Sequence, residues 1–240
     1  MPTDDLALNK FISIDWTNMS LGLMSGCIHN FPFLPLDLHF DNELIHSLLR
    51  VIKTHCHEHA YYQATYKPAT NMSKFTIFGY SDYKNYWEAS RKAKNFVEFE
   101  QMMADDPTWL IVDPVLARIF DVIPAKKIYM IESRSSFPGG KSYLHWDREI
   151  MLSGMYNRLY VPLQWPAGSH LSFHGFGNID SDPGQVTVIN GNRYLHGSYN
   201  SGNLDRHALM ITADLDTDEY RNLLQISRDK YQQKHHDKKH

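Results

Sequence analysis

The sequence predicts a mainly β protein, an antiparallel sandwich or barrel of the jelly-roll kind with flanking helices. The main observation is a series of short segments in the second half of the chain, in which alternating residues are divided by Gly, Pro, Asn and Asp. These segments are 127–133, 157–164, 169–175, 184–190 and 206–215. Several short strands at this spacing are typical of such a fold. The five Trp, fourteen Tyr and twelve Phe also suit a β-rich core or an aromatic-lined pocket.

The residues before the predicted strands form a mostly helical lead-in. Two prolines favour extended chain at 31–36, because proline disfavours helix. From Asp41 to Tyr61, apolar residues recur at helical spacing behind an Asp or Asn cap. The other predicted elements are a short strand at 74–80, helices at 83–103 and 114–122, and a C-terminal helix at 216–233.

We expect a single domain over residues 1–240, because no internal repeat or linker divides the chain. Within it, residues 1–125 are the helical lead-in, 126–215 the jelly-roll core, and 216–240 the C-terminal helix and tail.

Composition excludes several classes of function. A formal net charge of -3 gives no footprint for nucleic acid. The two cysteines, Cys27 and Cys56, are too few for a disulfide framework. The N-terminal segment has no apolar run of signal length, and no stretch approaches the length of a transmembrane helix. We therefore predict a soluble, cytoplasmic protein without a nucleic-acid or membrane partner.

Residues 143–147, with the sequence YLHWD, carry the first candidate chemistry. On a β-strand, alternate side chains leave the same face, so His145 and Asp147 should point the same way. His196 is a candidate third ligand further along the chain. A facial set of two histidines and one carboxylate suits ferrous iron and dioxygen chemistry. A His-x-Asp triplet is weak evidence alone, because fourteen histidines produce it by chance.

The full order of motifs is more specific than the triplet. Its parts are Pro138-Gly139-Gly140, His145-Trp146-Asp147, the Arg-containing segment 157–166, His196 and Arg206. From about Lys127 to about Asp216, this order resembles the Fe(II)/2-oxoglutarate-dependent dioxygenases. The resemblance is greatest to the aspartyl/asparaginyl β-hydroxylase-type group and the small proline hydroxylases. The matching positions there are Arg158, Pro162-Leu163, Asn200, Asp205-Arg206 and Asp214.

The resemblance implies a double-stranded β-helix barrel with an N-terminal helical buttress. It implies Fe(II) bound by His145, Asp147 and His196, with 2-oxoglutarate as co-substrate and O2 as oxidant. Such an enzyme hydroxylates an unactivated C–H bond and converts 2-oxoglutarate to succinate and CO2. The expected substrate is an amino acid or derivative, free or as a peptide side chain. The presence of Asp147 favours the three-ligand variety and argues against a halogenase.

Arg206 is the predicted partner of the distal carboxylate of 2-oxoglutarate, because a guanidinium fork fits a carboxylate at two points. Arg158 is a second candidate for co-substrate binding. Many relatives have a hydroxyl two residues after the arginine, but this chain has Ala208, so Tyr160 or Tyr143 would supply it. Candidate substrate contacts are Arg134, Tyr143, Trp146, Arg148 and Trp165, with Arg134 and Arg148 able to pair with a carboxylate. Glycines at 191 and 197 would allow close approach of strands near His196.

Two other functions compete with this interpretation. One is a cupin-like metalloenzyme that does not use 2-oxoglutarate, and the other is a non-catalytic jelly-roll binding module. His55 and His59 are spaced like ligands on one helical face, but no partner pair at zinc-site spacing follows, so they indicate a polar helix face. The Pro138-Gly139-Gly140 segment lacks phosphate-loop spacing and is interpreted as a turn before the metal-site strand.

Overall fold

A ten-stranded antiparallel sheet that curls into two facing layers forms the body of the protein in the computed structural model. The structure describes residues 32–56, 69–93, 96–103, 105–111, 113–145, 147, 156–179, 182–191 and 194–236. The strands are β1 (Phe33–His39), β2 (Ala69–Gly79), β3 (Thr108–Trp109), β4 (Lys127–His145), β5 (Tyr156–Gln164), β6 (Ser169–Phe173), β7 (Gly177–Asn178), β8 (Gln185–Ile189), β9 (His196–Asn200) and β10 (Arg206–Asp214). The helices are α1 (Asn42–His55), α2 (Tyr83–Lys92), α3 (Phe96–Met102), α4 (Arg118–Val122) and α5 (Asp218–His236), with a 3-10 turn at Pro114–Ala117.

The order of the strands confirms a double-stranded β-helix. The first layer contains β1, β8, β5, β10 and the first half of β4, and β2 and β3 extend it at that edge. The second layer contains the other half of β4, then β9, β6 and β7. β4 therefore belongs to both layers, and the two layers enclose the interior in which the predicted ligands meet.

β4 changes layers at Pro138-Gly139-Gly140. Residues up to Ser136 pair with β10, and residues from Lys141 pair with β9. Gly139 has φ +75°, a conformation that glycine adopts without a Cβ clash. A Cβ on Gly140 would lie 2.4 Å from the Asn71 carbonyl oxygen. The interpretation of this segment as a turn was wrong, because it is a bend inside one continuous strand.

The outer face of the first layer carries the main hydrophobic core, and helices α1 and α5 cover it. Asp41 caps α1 by accepting a hydrogen bond from the Leu44 N–H at 2.8 Å. The buried face of α1 (Leu44, Ile45, Leu48, Val51, Ile52) packs with strand residues such as Leu159, Val161, Leu209 and Ile211. α5 adds Tyr220 and Leu224 to the same core. The predicted helical buttress is thus confirmed, with the C-terminal helix on the same side.

Inward-facing residues of both layers form a second, more aromatic cluster. Its buried members are Phe33, Tyr160, Leu171, Phe173, Ile179, Ile189, Ala208 and Met210. Tyr160 and Met210 lie opposite each other on β5 and β10, so the residues two positions away on each strand, Arg158 and Ala208, face the same interior.

Several element boundaries differ from the sequence-based expectation. The predicted helix at 83–103 is two helices, α2 and α3, separated after Ala93. The predicted strand at 74–80 begins earlier, at Ala69, and joins the main sheet through β4. Residues 57–61, at the end of the predicted first helix, lie outside the described residues. No helix in the described part of the chain is long and apolar enough to cross a membrane.

Candidate metal centre

Two histidines meet where β4 and β9 pair. His145 ends β4 and His196 begins β9, and the register places them directly opposite each other. Their ring centroids are 4.5 Å apart. The Nδ1 of His145 lies 2.7 Å from the Tyr143 carbonyl oxygen, and the Nδ1 of His196 lies 3.1 Å from that of Tyr194. A carbonyl can only accept, so each Nδ1 carries the proton and each Nε2 keeps the lone pair that a metal ligand requires.

Asp147 supplies the carboxylate beside these two rings. The backbone N–H of Asp147 donates to the Gly191 carbonyl oxygen at 2.8 Å. Its carboxylate oxygens lie 3.7 Å from His145 Nε2 and 3.6 Å from His196 Nε2. β4 ends at His145, so Asp147 is held by this backbone contact and does not continue the strand alternation that predicted its direction.

Arg158 on β5 forms an ion pair with Asp147. Its guanidinium donates to Oδ2 of Asp147 at 2.6 Å, and its side chain is almost fully buried. Burial raises the pKa of the Asp147 carboxyl. The positive charge of Arg158, followed by those of His196 and His145 when protonated, lowers it by more, so the pKa lies well below its usual range. The carboxylate is therefore ionised, as a metal ligand must be.

His145, Asp147 and His196 form a group that could hold one metal ion, because their ligand atoms all lie within 4.8 Å of one another. It is the only such group of three or more His, Cys, Asp or Glu among the described residues. The side chains of His145 and Asp147 are 19% and 18% exposed, so small molecules can reach the site. Two neutral imidazoles and one carboxylate match the donor set of non-haem ferrous enzymes.

Two neighbours fix the position of His196. Phe173 on β6 stacks on its ring at 5.3 Å between centroids. Gly191 leaves room on the other side, because a Cβ there would lie 2.3 Å from Asp147 Oδ2 and 2.7 Å from His196 Cε1. A side chain at Gly191 would therefore clash with two of the candidate ligands, which agrees with the expectation of a close approach near His196. Gly197 also lies in a close approach, with the Ser142 carbonyl oxygen 3.0 Å from an added Cβ.

Arg206, at the start of β10, extends its side chain across the barrel to the second layer. Its NH1 donates to the His170 carbonyl oxygen on β6 at 2.8 Å. Its guanidinium carbon lies 5.2 Å from the ring centroid of Trp165. Arg206 is 3% exposed, and its Nε has no hydrogen-bond partner among the described residues. Burial raises the pKa of the Tyr160 hydroxyl, and the nearby charge of Arg206 offsets part of this rise.

Sequence patterns did not single out a buried charge cluster next to this site. Glu132 is fully buried on β4, where Lys74 approaches one carboxylate oxygen at 2.5 Å and Arg134 the other at 2.7 Å. Burial raises the pKa of Glu132, but Arg134 and Lys74 lower it to about 2. Burial lowers the pKa of Lys74 to about 8. The spacing of Glu132 and Arg134 on one face of a strand could have predicted their ion pair from the sequence. Lys74 reaches the cluster only because β2 pairs with β4.

The other predicted contacts lie in different places. The ring of Tyr143 is 46% exposed at the end of β4, with the Lys141 ammonium 5.1 Å from its centroid. Trp146 and Arg148 lie outside the described residues. His55 ends α1 with its ring 6.2 Å from that of Phe75, and its proposed helical partner His59 also lies outside the described residues.

No family model matches the sequence, and no curated protein matches it. The structure is similar to a Pseudomonas putida prolyl-4-hydroxylase, at 11% identity, 84% of this chain and 100% of that chain, and a TM-score of 0.45. It is also similar to HygX from Streptomyces hygroscopicus with nickel, 2-oxoglutarate and hygromycin B bound. The identity is 12%, the match covers 77% of this chain and 83% of that chain, and the TM-score is 0.43. A third similar structure is the viral collagen prolyl hydroxylase of Paramecium Bursaria Chlorella virus-1 in its 2-oxoglutarate complex. It is 12% identical, the match covers 77% of this chain and 97% of that chain, and the TM-score is 0.44. At these values, function has to be derived from the residues of the site.

Proposed function

We propose that this protein is a non-haem Fe(II)/2-oxoglutarate-dependent dioxygenase that hydroxylates an amino acid or an amino-acid-like substrate. The observation that carries the proposal is the combination of two features within one barrel. One is the cluster of His145, Asp147 and His196, and the other is the buried guanidinium of Arg206 with neutral partners. A metal-binding barrel that did not use a dicarboxylate would have little use for a buried cation placed in this way.

His145, Asp147 and His196 would hold the Fe(II) ion. When bound, iron and 2-oxoglutarate together supply the oxidising chemistry, in which O2 converts the 2-oxo acid to succinate and CO2 while a C–H bond is hydroxylated. The residues of the chain hold the ligands in place. Both Nδ1–H groups donate to backbone carbonyls, and Arg158 keeps Asp147 ionised and oriented.

Arg206 would bind the distal carboxylate of 2-oxoglutarate. A buried guanidinium is costly without an anion, and its unpartnered Nε lies along one edge of a fork suited to two-point binding. Ala208 provides no hydroxyl, so Tyr160, buried on the neighbouring strand, is the better placed of the two tyrosines to add one. Arg158 adjoins the metal ligands and remains the second candidate for contact with the co-substrate.

Arg134 would bind a carboxylate of the primary substrate. It is partly accessible inside the barrel. Its positive charge contributes a lowering of the pKa of both Asp147 and Tyr160, so it lies near the candidate metal ligands. An amino acid or an acidic side chain carries the kind of carboxylate that a guanidinium binds. Tyr143, Trp146 and Arg148 are further proposed contacts. Within the dioxygenases, we assign the chain to the group of aspartyl/asparaginyl and small proline hydroxylases, on the positions of Arg158 and Arg206.

The proposal is tested by incubating the Fe(II)-loaded protein with 2-oxoglutarate and single amino acids while succinate is measured. We expect slow succinate formation without substrate and a severalfold increase with one class of amino acid. Oxygen from labelled O2 should appear in the product. Asp147→Ala should abolish both rates, whereas Asp82→Ala, which removes an exposed helix cap, should leave them unchanged. Succinate formation that persists in Asp147→Ala would contradict the assigned site.

A further inference from the structure

We infer that Trp165 is a positioning residue for the co-substrate, because it holds the guanidinium of Arg206 in one orientation. This inference rests on the proposed function, in which Arg206 binds the distal carboxylate of 2-oxoglutarate. Trp165 was predicted as a substrate contact, but its geometry relates it to Arg206. The guanidinium carbon of Arg206 lies 5.2 Å from its ring centroid, within the range of a cation–π contact.

The first step is that Arg206 has two kinds of neutral partner. The His170 carbonyl oxygen accepts from NH1 at 2.8 Å, and the Trp165 ring supplies the aromatic contact. Among the described residues, no carboxylate forms an ion pair with Arg206 within 4 Å. The carbonyl oxygen fixes one end of the fork, and the ring restricts its plane. The remaining donors therefore keep one orientation and a full positive charge for an anion.

The second step is that the Trp165 ring is itself held. Tyr160 contacts it edge to face, with centroids 6.0 Å apart and an interplanar angle of 83°. The preceding residue, Gln164, donates to the Asp205 carbonyl oxygen at 2.6 Å and accepts from Lys53 at 2.9 Å. Gln164 and Asp205 are the chain neighbours of Trp165 and Arg206. This hydrogen bond therefore joins the segment that carries the ring to the segment that carries the cation.

The third step is that the turn after Trp165 is locked against the turn before Arg206. Gly168 has φ +85°, and a Cβ there would lie 2.6 Å from Ser201 Oγ. The Ser201 N–H donates to the Gly168 carbonyl oxygen at 2.9 Å. A Cβ on Gly202 would lie 2.5 Å from the Ala167 carbonyl oxygen. The two turns pack at backbone distance, so the backbone segments that carry Trp165 and Arg206 keep a fixed separation.

The test compares two 2-oxo acids that differ only at the distal end. The first is 2-oxoglutarate, and the second is 2-oxopentanoate, which has a methyl group in place of the distal carboxylate. Each is titrated anaerobically into the Fe(II)-loaded protein, and the visible charge-transfer band of the chelate measures binding. The variants are Trp165→Leu and Trp165→Phe. Trp109→Leu, in the outer cluster with Phe78 and Phe120, is the matched control.

We expect Trp165→Leu to weaken 2-oxoglutarate binding about 3- to 30-fold, the range of a partly desolvated cation–π contact. Trp165→Phe, which keeps an aromatic face, should lose less. Neither variant should change binding of 2-oxopentanoate, and Trp109→Leu should bind both acids like the wild type. Far-ultraviolet circular dichroism checks that each variant is folded, and Trp165→Phe provides the comparison if Trp165→Leu is not.

Two results would overturn the inference and leave the proposed function intact. Wild-type affinity for 2-oxoglutarate in the Trp165 variants would show that the ring does not position Arg206. Equal weakening of both acids would show general damage to the site. A wild-type protein that binds Fe(II) but gives no band with either acid would instead remove the proposed function, and this inference with it.

Discussion

Gly191 contacts two of the three candidate metal ligands. Its carbonyl oxygen accepts the Asp147 N–H, and its missing side chain leaves space for both Asp147 and His196. The residue thus places one ligand and avoids a clash with two. The glycine predicted a close approach near His196, but its backbone contact with Asp147 was not visible from the sequence.

Substitution of this glycine should separate metal binding from folding. Gly191→Ala puts a Cβ within 2.7 Å of His196 Cε1 and closer still to Asp147 Oδ2, so the ligands must move apart. We expect a loss of Fe(II) affinity of about 10- to 100-fold, comparable to loss of a supporting contact in other metal sites. Isothermal titration with Fe(II) or Co(II) under anaerobic conditions measures the effect.

The control is Gly175→Ala. Gly175 also has a positive φ, of +83°, but nothing lies within 4 Å of a Cβ there. It should lose about 1 kcal/mol of stability through backbone strain and retain metal affinity. If the two variants bound metal equally well, Gly191 would have no special place in the centre.

At the scale of elements, the β9–β10 turn places Arg206, and Asn200 orders that turn. Asn200 is fully buried, and its Nδ2 donates to the carbonyl oxygens of Ser136 and Leu204 at 2.8 and 2.9 Å. Its Oδ1 accepts from the Gly202 N–H at 3.1 Å. One side chain thus connects β4, the turn and the approach to Arg206.

Asn200→Ala should therefore weaken both the fold and the proposed co-substrate site. It leaves buried backbone groups without partners, so we expect a loss of about 2–3 kcal/mol in the free energy of unfolding. We also expect weaker binding of 2-oxoglutarate. Ser201→Ala removes only one exposed hydrogen bond in the same turn and should cost less than about 1 kcal/mol. Chemical denaturation measures the free energy of unfolding of both variants. Equal losses in this free energy would contradict the assignment of Asn200 as the residue that orders the turn.

At the scale of the whole molecule, the barrel interior contains more charge than a packed core usually accepts. Glu132 lies between Lys74 and Arg134, and Asp147 pairs with Arg158. Burial of charges is costly unless they are paired. The pairings connect β2 to β4, and β5 to the segment that follows β4.

The two sides of this cluster should respond differently to substitution. Glu132→Gln removes the fully buried carboxylate between the partly buried cations Lys74 and Arg134, and we expect a loss of about 3 kcal/mol in the free energy of unfolding. Lys74→Met keeps the Glu132–Arg134 pair and should cost much less. Urea denaturation of the two variants at neutral pH tests this order, and a larger loss in Lys74→Met would contradict it.

The same carboxylate predicts a pH dependence of stability. The pKa of Glu132 is about 2 in the folded protein, below its ordinary value of 4.5. The stabilisation of the folded state by the Glu132 carboxylate is therefore complete above about pH 4.5 and is lost as the pH falls towards 2. The pKa of Lys74, lowered by burial to about 8 from its ordinary 10.5, also removes stability as the pH falls, but between about pH 10.5 and 8, so it adds no slope at acid pH. Thermal melts between pH 3 and 5 should fall more steeply for the wild type than for Glu132→Gln.

Much of the fold and the three candidate ligands could be predicted from the sequence. Strand alternation and the order of motifs are local, and they identified β5, β6, β8, β10 and the His145, Asp147 and His196 set. The course of β4 through Pro138-Gly139-Gly140 could not be predicted, because those residues favour turns unless neighbouring strands continue the pairing. The contacts of Trp165 with Arg206 and of Lys74 with Glu132 join distant segments, and only the strand register brings them together.

The most direct test of the account is an anaerobic titration of the protein with Fe(II) and then 2-oxoglutarate, following the visible charge-transfer band of the chelate. The wild type should develop the band. His196→Ala should not, because one of three ligands is lost, and Arg206→Ala should require far more 2-oxoglutarate, because the distal carboxylate loses its partner. A folded, metal-loaded wild type without the band would contradict the account and favour a cupin-like enzyme that does not use 2-oxoglutarate.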